Sequence, residues 1–157
     1  MVIAIIIGVV IFIVAVIIGQ QRGKNLEAEG KIIMRDISFI EYAEIFTLAN
    51  ADFKIVAAEL QTTSFEGTGA SIGVNGLTVT IRSSHGWSAQ LCELQSSDNM
   101  NKYHFQFTGW QTHRGVPMRL DTMNIFLTAI EKMFLNLDSN TKVETERFKT
   151  KSKTSFL

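Results

Sequence analysis

Three histidines, a single cysteine and one glycine-rich run are the residues of this chain whose chemistry can be tested against spacing. A metal site wants ligands two apart on a strand or four apart on a helix, or cysteines two to four apart. His85, His104 and His113 meet none of these spacings, and Cys92 has no second cysteine to join it. Cys92 lies between Leu91 and Glu93 in an alternating segment, where a buried thiol serves as a small hydrophobe. A nucleophilic cysteine would need an oriented base and a lowered pKa, typically at a helix N-terminus. The run Gly67-Thr68-Gly69-Ala70-Ser71-Ile72-Gly73 leads into a strand pattern and lacks a following Lys-Ser/Thr, so its glycines are turn residues, not a phosphate cradle. The carboxylates are scattered over the solvated faces of the expected helices, and no general acid and base can be paired. No catalytic residue, cofactor or metal ligand is assigned.

Residues suited to binding are easier to name. Trp87 and Trp110, with His85 and His113 nearby, flank loops at the ends of expected strands, where aromatics anchor partners; packing beneath helices is the competing use of both indoles. Arg147, Lys149, Lys151 and Lys153 form a basic run with no acid among them, suited to anionic headgroups at about 1 kcal/mol per charge. Ala4 and Gly8, then Ala15 and Gly19, share one face of an expected helix, and small residues four apart let two membrane helices approach closely.

The element that carries those small residues is the plainest in the sequence. Residues 1–19 bear no charged side chain, and a helix of that length spans about 28 Å, near the thickness of a bilayer's hydrocarbon. No Lys or Arg precedes the apolar run, which is too long for a signal peptide and ends in Gly19-Gln20-Gln21-Arg22 without a small-x-small site. The segment is expected to remain as a single-pass anchor. Arg22, Lys24, Lys31 and Arg35 all follow it, so the rule that basic flanks stay inside puts the rest of the chain in the cytoplasm.

A polar juxtamembrane linker, 20–35, precedes an expected soluble domain, 36–148, and a flexible basic tail, 149–157. Ser38 and Glu41 have capping-box spacing, and Tyr42, Phe46, Ala49, Phe53, Val56 and Leu60 then recur at helical intervals, which predicts one long helix. From Ala70 the period becomes two. Asn75-Gly76 marks a hairpin with a type I′ turn, and further alternating segments run from Trp87 to about Gln95 and through Tyr103, Phe105 and Phe107. Gln111 to Pro117 reads as a loop, and Asp121 as the N-cap of a helix with its stripe at Met123, Phe126, Leu127, Ile130, Met133, Phe134 and Leu137. Thr141 to Phe148 alternates weakly and is a candidate last strand. The expected fold class is therefore α+β: a membrane helix, then a two-layer domain with an antiparallel sheet of about four to five strands covered by two amphipathic helices, in the order α-β-β-β-β-α-(β).

Composition narrows the role. Fifteen basic residues balance 15 acidic ones, which argues against a nucleic-acid-binding face. A lone cysteine forms no intrachain disulfide. These features point to a non-enzymatic, membrane-anchored protein whose small domain makes protein contacts in a membrane-associated assembly, with a protein partner or as a homo-oligomer. Two alternatives stand beside it. A helix gripping a curved sheet can enclose a small-ligand or lipid sensor pocket. The order of an apolar helix and a four-stranded antiparallel sheet resembles type IV pilins and pseudopilins, which would imply an extracytoplasmic structural subunit. The pilin leader and the glutamate early in the mature helix have no counterpart here.

Overall fold

The computed structural model describes residues 33–49, 51–97 and 100–147. The chain divides into two units, 1–34 and 35–157, and the second is the one described. The expected anchor with Ala4, Gly8, Ala15 and Gly19, most of the linker, and Lys149, Lys151 and Lys153 of the tail lie outside the described residues. No helix among the described residues is long and apolar enough to cross a membrane.

The body is α+β, with a six-stranded antiparallel sheet and two helices. A 3-10 turn, Ile37–Glu41, leads into β1 (Tyr42–Leu48), and the first helix, α1 (Phe53–Thr62), follows. Then come β2 (Ala70–Asn75), β3 (Thr78–Ser83), β4 (Trp87–Ser97) and β5 (Met100–Trp110). A two-stranded ribbon, β6 (Thr112–His113) and β7 (Val116–Pro117), separates β5 from α2 (Leu120–Leu137), and β8 (Lys142–Arg147) closes the sequence of elements. The sheet order is β2-β3-β4-β5-β1-β8. Consecutive hairpins build β2 to β5, while β1 and β8 come from opposite ends of the body and pair with each other.

The long helix expected from Ser38 is a strand followed by a short helix. Both readings share Tyr42, Phe46, Phe53 and Leu60. Within 42–48, however, Glu44, Phe46 and Leu48 also alternate, and Tyr, Ile, Phe and Thr favour a pleated, half-buried surface. Sheet neighbours on both sides outweigh a local helix, since β1 gains partners in β5 and β8. The capping signal moves accordingly: Asp36, not Ser38, accepts the first bond, from the Ser38 amide at 2.9 Å, and Asp52 caps α1 through the Ile55 amide at 3.0 Å. At the β2–β3 turn the closing pair is Asn75 and Thr78, and only Gly76 is left-handed, which matches a II′ turn and not the I′ turn expected. Asp121 lies in the first turn of α2 and is not its cap; that position belongs to Arg119, which makes no side-chain cap bond.

One face of the sheet carries the core. Val79, Ile81, Ala89, Leu91, Tyr103, Phe105, Phe107, Phe46 and Leu48 lie buried against Phe53, Val56 and Leu60 of α1 and the expected stripe of α2. Rings make most of the junctions: Phe46 stacks on Phe134 at 4.2 Å, and Phe126 meets Trp87 at 5.2 Å and Phe65 at 4.5 Å. The other face presents Thr80, Gln90, Gln106, His104 and Cys92 in register, and no element among the described residues covers it.

Candidate functional site

Register sorts the expected binding residues by position. Trp87 pairs with Trp110 across β4 and β5, and both lie at the end of the sheet where β1 begins and β8 finishes at Arg147. This end, the proximal end, receives the chain from Arg35. Trp87 is a core residue, 3% exposed, and its indole nitrogen donates to Thr122 Oγ1 at 2.9 Å, which ties the start of β4 to the first turn of α2. Trp110 packs partly buried at the core's edge. His85 sits in the turn before β4 with Nδ1 buried and without a hydrogen-bond partner, and His113 is exposed on the β6–β7 ribbon. The structure thus gathers these four at one end, with Trp87 facing inward. Arg147 forms an exposed ion pair with Glu41 at 3.7 Å.

Beneath α2 lies a polar cluster that no sequence spacing announced. Arg35 donates to Asn124 Oδ1, to Thr128 Oγ1 at 2.9 Å and to Glu131, with which it forms an ion pair at 12% and 14% side-chain exposure. Residues 124, 128 and 131 follow one another down a single face of a helix. Glu44 joins them from β1, 6% exposed, with Oε2 buried and unpartnered among the described residues. Burial, then the neighbouring Glu131 charge, pushes the Glu44 carboxyl up to about 8, against a smaller opposing pull from Arg35. Glu44 therefore holds its proton well above the ordinary carboxylate range. The sequence signal was present in part: Asn124, Thr128 and Glu131 are polar residues on the inward side of α2, but nothing in it pointed to Arg35, some ninety residues away. Arg35 ties Asn124, Thr128 and Glu131 together, and the Glu44 carboxyl lies buried beside them.

The two sheet edges differ sharply. β8 is exposed along its length and reads Lys-Val-Glu-Thr-Glu-Arg, charges that discourage another strand from pairing. β2 reads Ala-Ser-Ile-Gly-Val-Asn and carries no charge. The two-residue turn makes Asn75 and Thr78 a hydrogen-bonded pair, and the Ser84 amide bonds the Gly69 carbonyl at 3.0 Å, so the intervening backbone of Ile72 and Val74 points away from β3. Two N–H and two C=O groups face outward there. Shallow grooves flank this edge on both sides of the sheet: one, toward α1, is lined by Gln61, Thr63, Phe65, Glu66, Ala70 and Ile72 over Leu60, and the other by Ser71, Gly73, Thr80 and Arg82.

Cys92, on the uncovered face, is half-buried, and burial raises its thiol above the ordinary value. That is the opposite of an activated nucleophile. No group of histidine, cysteine and carboxylate side chains among the described residues could hold a metal ion. No protein-family model, curated protein or solved structure matches this chain.

Proposed function

We propose that this chain is a membrane-anchored interaction module, held at the bilayer by residues 1–19, whose β2 edge takes up an extended segment of a protein partner as a seventh strand. The contrast between the two edges carries the reading. A charged edge such as β8 is what a sheet uses to stay unpaired, and β2 has no such guard. Strand addition draws affinity from main-chain bonds, here to Ile72 and Val74, and specificity from alternate side chains entering flanking grooves. The groove toward α1 sets Phe65 and Ile72 beside Gln61, Thr63 and Glu66, so the partner segment should be extended, with a side chain there that combines an apolar stem and a polar end. Anchoring supports the same reading, because confinement in one membrane raises the effective concentration of a neighbour and lets weak contacts suffice.

The test is photo-crosslinking of the full chain in native membranes from positions 74 and 144, one on each edge. Crosslinks to a partner from position 74 and none from 144 are expected. Val74→Pro removes an outward N–H that no internal bond uses, so it should abolish partner capture while leaving the unfolding temperature nearly unchanged. Capture that survives Val74→Pro, or crosslinks only from β8, would end this reading.

A further inference from the structure

The proximal end of the body carries a second surface. The β6–β7 ribbon projects there, and from Trp110 to Leu120 the chain holds Arg114, Arg119 and His113 and no acid. Val116 is 60% and Met118 40% exposed, so the ribbon offers apolar side chains between its two arginines. Neither guanidinium makes an ion pair or hydrogen bond among the described residues. Both arginines are left-handed, with φ of 51° at Arg114 and 62° at Arg119, where Gly, Asn or Asp would sit with less strain. The side chain, not the backbone, accounts for arginine at these two positions. Of the acids toward this end, Asp36 accepts from the Ser38 amide, Glu41 pairs with Arg147, and Asp121 follows Arg119 by two residues in the first turn of α2.

We infer that the β6–β7 ribbon docks on an anionic bilayer surface, Arg114 and Arg119 meeting lipid phosphates while Val116 and Met118 enter the headgroup layer. Three features converge on lipid as the occupant. The polypeptide enters the body at this same end, at Arg35, so this is the end that the segment following the apolar run meets. Basic residues beside apolar ones suit an interface that is negative at its surface and apolar beneath. The Arg147 end of β8 lies alongside the start of β1, so the basic tail also leaves from here. The inference rests on the anchored reading of residues 1–19 but not on strand addition at β2.

The experiment places an environment-sensitive fluorophore on Val116→Cys, in a Cys92→Ser background, with Ser139→Cys at the opposite end as control. The full chain is reconstituted into vesicles of phosphatidylcholine alone or with a third phosphatidylserine. Flotation with both vesicle types is expected and reports the anchor. The label at 116 should brighten severalfold and shift to the blue only with phosphatidylserine, and lose that response in high salt or with Arg114→Glu and Arg119→Glu together. The label at 139 should not respond. A chain that floats while position 116 responds identically in both vesicles overturns the docking alone. A chain that fails to float overturns the anchor and the docking together.

Discussion

At the scale of single residues, the carboxyl of Glu44 sets a pH dependence of stability. Its value of about 8 in the folded body stands above the ordinary 4.5. Between those two values the native state keeps a proton that the unfolded chain releases, so stability falls as pH rises through the window, by up to about 1.4 kcal/mol per pH unit. Glu44→Gln mimics the protonated form and should flatten that slope, which urea denaturation near pH 5 and near pH 8 would measure. Arg35 acts in the opposite sense. Arg35→Ala leaves Glu131 charged and nearly buried beside Glu44, and a loss of about 3–5 kcal/mol is expected. Pairing it with Glu131→Leu should recover much of that loss, because the stranded charge is gone; thermal melts of the single and double variants decide it.

At the scale of elements, much was legible because periodicity is local. The stripe of α2, the hairpin at Asn75-Gly76, and the faces of β4 and β5 follow directly from intervals of three to four or of two. Residues 42–48 satisfy two periods at once, since Tyr42, Phe46 and Ala49 fit a helix while Glu44, Phe46 and Leu48 fit a strand. Only the distant β5 and β8 decide between the two, and periodicity cannot see them. The β2 edge was hidden for a related reason: whether a strand is outermost depends on sheet order, not on its own residues. Turns hold these elements in place, and Gly86 is one of the left-handed glycines that close them. Its φ is 85°, and a Cβ there would lie 2.5 Å from Gln111 Cδ. The exposed Gln111 side chain can swing aside, so Gly86→Ala should cost the left-handed penalty of roughly 1 kcal/mol, visible as a lowered unfolding temperature and faster exchange at the Gln111 amide, which bonds the Gly86 carbonyl at 3.1 Å.

At the scale of the whole molecule, the anchored reading makes a prediction about sidedness. Arg22, Lys24, Lys31 and Arg35 follow the apolar run, so on that reading the body is expected on the cytoplasmic side. Ser139→Cys in a Cys92→Ser background should resist a membrane-impermeant thiol reagent in intact cells and react once they are permeabilised. Labelling of intact cells would reverse the orientation and return the pilin-like layout to consideration. The place of β1 in the sheet has a further consequence. Among the described strands it is the first to be synthesised, yet one of its two neighbours is β8, about a hundred residues later. During translation β1 must stay unzipped on that side, its backbone groups met by water or a chaperone, until residues 142–147 leave the ribosome. Closure of the sheet is thus a late event governed by long-range loop formation, and a nascent chain stalled before Lys142 would expose a sticky inner strand that the finished protein never shows.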